Sequence, residues 1–139
     1  MKEFFTLRSQ LSELTTLSAK LQELADRWML PKRFLLEVNL VLDEYITNII
    51  QHGEAGKECT ISVAVVKQKN CITIEVTDDG PPFDPTMCTM PDTTLSLDKR
   101  KCGGLGILLV HKFSDSCSYK RCNNTNIFKL KKYLPKEDR

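Results

Sequence analysis

Two stretches rich in β-branched residues, CTISVAVVKQ at 59–68 and CITIEVTDDG at 71–80, stand two residues apart, and this restricts the chain more than any other feature. Valine, isoleucine and threonine at that density favour strands, and Lys69-Asn70 suits a tight turn, so the pair reads as an antiparallel hairpin. SCSYKRC and IFKLKKYL form a second one across Asn123-Asn124-Thr125-Asn126, since consecutive asparagines tolerate the positive φ of a tight turn. Two hairpins make a largely antiparallel sheet. In the first, Ile72, Ile74 and Val76 alternate with Cys71, Thr73, Glu75 and Thr77, so one sheet face is apolar and must be covered.

The cover lies in the first third of the chain. After a short strand at KEFFTLR, Leu14, Leu17, Leu21, Leu24 and Trp28 recur at helical spacing. Pro31 then suits the first turn of a second helix, whose Leu35, Val38, Leu42, Tyr45, Ile46 and Ile49 share a face; Gly53 and Gly56 stop it. From Pro81 to Cys102 no period is sustained, which predicts a long functional or mobile loop. A short helix over ILLVHKF follows. The order β-α-α-β-β-loop-α-β-β predicts a two-layer α/β (α+β) sandwich, a largely antiparallel mixed sheet covered on one face by helices. With 139 residues, 41% of them hydrophobic, a single domain spanning 1–139 is expected.

A formal charge of +2 gives no field to draw nucleic acid or an anionic membrane. No apolar run reaches the roughly 20 residues of a membrane helix, and the start carries no signal-peptide core, so a cytoplasmic protein is expected. Six cysteines lack CxxC spacing; Cys59, Cys71, Cys117 and Cys122 fall in or beside strand-like segments as small hydrophobes, while Cys88 and Cys102 sit in the loop as potential reactive thiols.

Three groups of residues carry chemistry. Glu44, Asn48 and His52 step along the second helix at four-residue intervals, on a face expected to lie away from the core; taken alone, they fit a solvated helix back. Asp78 is placed by strand parity on the apolar side, where an ionised carboxylate needs donors, or it caps the turn that Gly80, Pro81 and Pro82 shape. Gly103, Gly104 and Gly106 open a helix whose free N–H groups suit an anion, although tight packing also explains such glycines. Together they fit a nucleotide: an acceptor for an adenine amino group, a phosphate cradle, an amide oxygen in Asn48 for Mg²⁺, and Glu44 to accept a proton.

These residues resemble the Bergerat-fold ATP-binding domains, with Glu44-xxx-Asn48 similar to the N box, Asp78-x-Gly80 to the G1 box and Gly104-x-Gly106 to the G2 box. NIIQHG, DDGPPFDP and GGLGILLV most resemble the small bacterial serine/threonine kinases that act as anti-sigma factors, over about residues 5–134. The resemblance implies Mg²⁺ on Asn48, Glu44 as general base, Asp78 reading adenine, and ATP contacts from Asn48, Asp78, Gly80, Pro82, Phe83, Gly103, Gly104, Leu105, Gly106 and Ile107. It gives His52 a supporting role. It also implies an anti-anti-sigma substrate of the STAS type, a sigma factor or other regulatory protein as competing partner, and a homodimer formed through the sheet and first helix. One departure is Pro82, where the broader family often has a second glycine. For Phe83, core filling and packing beneath the loop both stand, and Lys99, Arg100 and Lys101 read as a solvated basic run or as phosphate contacts. The rival functions are a noncatalytic ATP/ADP-sensing module and a structural interaction domain with degenerate boxes.

Overall fold

The computed structural model describes residues 1–51, 58–84 and 112–135. Their elements are β1 (Lys2–Arg8), α1 (Glu13–Arg27), α2 (Lys32–Gln51), β2 (Thr60–Lys67), β3 (Cys71–Asp78), β4 (Ser116–Cys122) and β5 (Thr125–Tyr133). The strands form one sheet in the order β1-β2-β3-β5-β4. Every pairing among the described residues is antiparallel, so the expected mixed character does not appear in them. The order sets the site: β5 lies beside β3, with Asp78 facing Asn126 at the end of their ladder, and β4 is pushed to the edge.

Parity makes the sheet two-faced. Phe5 and Leu7, Ile61, Val63 and Val65, Ile72, Ile74 and Val76, and Phe128 and Leu130 are all buried on the side that meets the helices. The α1 stripe contributes Leu17, Leu21, Leu24 and Ala25, and α2 contributes Leu35, Val38, Leu42, Tyr45, Ile46 and Ile49, as the leucine and isoleucine spacing predicts. Burying a side chain of this size stabilises by about 1.5–3 kcal/mol, so this interface dominates the folding energy.

Three contacts fix how α2 lies along the sheet. At its start, Glu37 pairs with Lys132 of β5 at 2.6 Å, and the same ammonium lies 5.5 Å from the Phe34 ring. Midway, Tyr45 stacks on Phe128 with ring centroids 4.3 Å apart. Near its end, Ile49 meets Asp78, Pro81 and Asn126 around a small void. The last turns of α2 therefore finish at the carboxyl end of β3.

The structure shortens the first hairpin's strands by one or two residues and closes it over 68–70, with the Gln68 amide donating to the Cys71 carbonyl at 2.9 Å. In the second hairpin the turn is Asn123-Asn124 alone, both at positive φ (52° and 61°). β5 thus starts earlier than the sequence suggests, and Asn126 is a strand residue rather than part of the turn. Asn124→Gly removes the steric cost of a side chain at φ 61° without touching the ladder. We expect a gain of about 0.5–1 kcal/mol, read as a higher urea midpoint at unchanged m-value.

Candidate functional site

β3 delivers Asp78 to the apolar side, as parity predicts, and the carboxylate is 3% exposed. Its Oδ1 accepts two hydrogen bonds, from the Gly80 amide at 3.0 Å and from Asn126 Nδ2 at 3.0 Å. Oδ2 is buried and meets no partner among the described residues. A desolvated carboxylate oxygen with nothing to accept is unfavourable by itself and suited to a ligand N–H. Burial pushes the Asp78 carboxyl above its usual range, and the Asn126 and Gly80 donors hold it down.

The turn after β3 is tied to the far side of the sheet. Asn126 Nδ2 also donates to the Pro81 carbonyl at 2.8 Å, and Arg121 Nη1 donates to the Gly80 carbonyl at 2.7 Å. A Cβ at Gly80 would meet Asp78 Oδ1 at 3.1 Å, tighter than ordinary contact, so a larger residue there would press on the carboxylate. Pro82 is exposed on the wall of an open cleft of about 450 Å³, whose other described walls include Ser9, Ile50, Cys59, Asp79 and Arg121. That volume suits a nucleotide-sized molecule. Asp78 itself does not line the cleft. It faces the small adjoining void, which shares Ile49 and Pro81 with the cleft and has Tyr45 and Phe83 as further walls. Phe83 is thus half-buried beneath the turn.

α2 supplies the second part. Glu44 is half-buried, one turn before Asn48. Asn48 is 4% exposed, which corrects the expectation that all three polar residues lie on a face away from the core. The reason is visible in the heptad row Phe34, Val41, Asn48, every member of which is buried: the helix buries an arc wider than its leucine and isoleucine stripe. The Asn48 Nδ2 is buried and finds no partner among the described residues. A half-turn of that amide exchanges nitrogen for oxygen without breaking any hydrogen bond among those residues, so it fits a role as an oxygen ligand. The neighbouring carboxylate, Asp43, turns instead to the groove it shares with Leu14, Ser18 and Gln22 of α1, where burial raises its pKa.

Tyr45 OH is a third buried polar atom without a partner among the described residues. Burial, and then the Asp78 charge, raise its pKa above the usual tyrosine range, so it stays a neutral hydroxyl. The described cysteines are free thiols, and burial raises the pKa of both Cys59 and Cys117. Among the described residues no helix is long and apolar enough to cross a membrane. His52, Gly103, Gly104, Leu105, Gly106 and Ile107 lie outside the described residues, as do Gly53, Gly56, Cys88, Cys102, Lys99, Arg100 and Lys101 and nearly all of the expected short helix.

The fold that carries this carboxylate and the turn after it is shared with known proteins. The histidine kinase-like ATPase domain matches residues 7–132. The chain belongs to this family. Within it, the chain is 32% identical over 104 residues to the serine/threonine-protein kinase BtrW of Bordetella bronchiseptica, over 74% of this chain and 72% of that protein. Its fold is similar to the RsbU and RsbW domains of Rv1364c from Mycobacterium tuberculosis, with a TM-score of 0.68 and 14% identity. That match covers 96% of this chain and only 32% of the other, so the chain spans about a third of that structure. The SiaB–SiaC complex of Pseudomonas aeruginosa matches at TM-score 0.59 and 14% identity, covering 95% of this chain and 89% of the other. The catalytic domain of the histidine kinase ThkA matches at 0.54 and 15%, covering 99% of both. The ATPase-domain family thus accounts for the two-layer fold.

Sequence reasoning missed Asn126, Arg121 and Tyr119. Strand alternation held the signal for the first: Asn126 is in phase with Phe128 and Leu130, both buried.

Proposed function

We propose that this domain binds Mg·ATP and transfers the γ-phosphoryl group to a serine or threonine hydroxyl of a partner protein. The observation that carries the reading is the Asp78 carboxylate, with Oδ1 saturated by protein donors and Oδ2 left, buried, to accept from an adenine amino group. Family membership and the relative named a serine/threonine-protein kinase support the chemistry. The hydroxyl oxygen forms a bond to the γ-phosphorus, the β–γ bridging bond breaks with ADP leaving, and the hydroxyl proton passes to Glu44. Asn48 would hold the Mg²⁺, which when bound neutralises charge on the phosphates. Gly103, Gly104, Leu105, Gly106 and Ile107 would close over the triphosphate, Pro82 and Phe83 would flank the base, and His52 would support the helix end.

The proposed substrate is an anti-anti-sigma protein of the STAS type, with a sigma factor or other regulatory protein competing for the kinase and a homodimer as the working unit. The likeness to structures of RsbU and RsbW domains and of a SiaB–SiaC complex supports a partner-switching role. Incubation with γ-labelled ATP and candidate STAS proteins tests it: label on a serine or threonine is expected, and ATP binding without transfer favours the nucleotide-sensing reading. Calorimetry with Mg·ATP, repeated without magnesium, tests the metal. We expect Asn48→Ala to weaken Mg·ATP binding by about tenfold or more and to remove the difference between the two titrations. An unchanged magnesium dependence in this variant removes Asn48 from the site.

A further inference from the structure

Asn126 occupies an unusual position. It is 2% exposed, lies opposite Asp78 in the β3–β5 ladder, and uses both ends of its amide. Nδ2 donates to Asp78 Oδ1 at 3.0 Å and to the Pro81 carbonyl at 2.8 Å. Oδ1 accepts from Arg121 Nη1 at 3.0 Å and from the Tyr119 hydroxyl. The amide cannot be reversed. A guanidinium has no acceptor and a proline carbonyl has no donor, so these two neighbours fix which end is nitrogen. Asp78 Oδ1 therefore always faces an N–H from Asn126 as well as the Gly80 amide.

This has a chemical consequence at the other carboxylate oxygen. Two donors on Oδ1 favour the ionised carboxylate and leave Oδ2 as an acceptor with no proton to give. Without the Asn126 N–H, a buried Asp78 takes up a proton more readily, and a protonated Oδ2 donates rather than accepts. The two states recognise opposite base edges: an acceptor takes the exocyclic amino group of adenine, whereas a donor takes a carbonyl at the same position.

We infer that Asn126, locked by Arg121 and Tyr119, is the specificity-determining residue of the nucleotide site, holding Asp78 Oδ2 as an acceptor so that the site takes a 6-amino purine and rejects a 6-oxo purine. Asn126 acts through Asp78 and is a positioning residue; the inference rests on the ATP-site reading given above. The titratable and charged groups that face Asp78 among the described residues are Tyr45 from α2, Cys59 before β2, Asp79 beside it, and Arg121 from β4. Tyr119 of β4 and Asp84 stand one neighbour further, around Tyr45. Burial raises the pKa of both Tyr45 and Cys59, so both are neutral near neutral pH. Arg121 opposes protonation and Asp79 favours it, and the Asn126 and Gly80 hydrogen bonds are the largest influences that hold the carboxyl down against its burial.

The test compares ATP with inosine triphosphate, which differs from it in carrying a carbonyl in place of the amino group, by calorimetry between about pH 6 and pH 8. The triphosphate titrates alike in both, so the ratio of their affinities reports the base. Wild type is expected to prefer ATP by about 10²-fold, with a ratio flat in pH. In Asn126→Leu the ratio falls about tenfold and becomes pH-dependent, ATP binding weakening and inosine triphosphate binding strengthening as pH falls. A residue that only filled space would weaken both nucleotides together at every pH. Should Asn126→Leu not fold, Arg121→Met on the exposed edge strand takes its place, with a change of a few fold in the same direction. Equal losses and a flat ratio in the folded variants overturn the inference; wild type binding neither nucleotide overturns the ATP reading on which it rests.

Discussion

Glu44→Gln leaves Mg·ATP affinity within about twofold of wild type and lowers phosphoryl transfer to the partner protein by about 10²-fold. The glutamine keeps the size of a half-buried side chain on α2, so helix packing and the neighbouring Asn48 are undisturbed, but its amide cannot accept the hydroxyl proton. The effect is set at the low end of the range for general bases because phosphoryl transfer passes through a loose transition state, in which the nucleophile needs little activation. A change confined to kcat separates a base from a binding residue. Asp43 is the control. It is the adjacent carboxylate and also half-buried, yet it faces the α1 groove, so Asp43→Asn should leave transfer as it is. If Glu44→Gln transfers at the wild-type rate while Asp43→Asn does not, the base has been assigned to the wrong member of the pair.

The parts of this site that could be read in the sequence are those governed by short-range periodicity. A two-residue alternation in β3 put Asp78 on the core side, and a 3.6-residue period in α2 identified the stripe from Leu35 to Ile49. Asn48 lies outside the stripe from Leu35 to Ile49 and is buried all the same, because α2 buries a wider arc that also takes in the heptad row of Phe34 and Val41. What could not be read is the polar network behind Asp78. Asn126 is 48 residues from Asp78 and Arg121 is 41 from Gly80, and they meet only because β5 inserts between β3 and the edge strand β4. No local pattern encodes that order. The asparagine-rich segment also reads as a turn, and residue types that favour turns mask a buried strand position. The glycine cluster stays a matter of sequence, since it lies outside the described residues.

Asp78→Asn should separate stability from function in opposite directions. Burial raises the Asp78 pKa in the folded state, so this carboxyl adds stability below the unfolded value of about 3.9 and loses it as pH rises through the folded one. At neutral pH the free domain therefore carries an ionised group that its surroundings disfavour. Asparagine does not ionise, and its Oδ1 can keep both donors, Gly80 N–H and Asn126 Nδ2. The nucleotide-free variant should be more stable by about 1 kcal/mol at neutral pH, a rise of a few degrees in Tm, and the advantage should disappear as pH falls toward the ordinary carboxylate range. Binding moves the other way, because an amide whose oxygen is committed to Gly80 and Asn126 must present its N–H₂ where Oδ2 stood. That group meets the adenine amino group donor to donor, and ATP affinity should fall by about 10²-fold. With ATP at a hundred times the wild-type Kd, wild type gains about 2.7 kcal/mol and the variant about 0.4 kcal/mol. Thermal melts with and without Mg·ATP across pH read both effects at once. A variant less stable than wild type without nucleotide, yet still raised by ATP as wild type is, would mean that Asp78 is a buried structural carboxylate and that the base binds elsewhere.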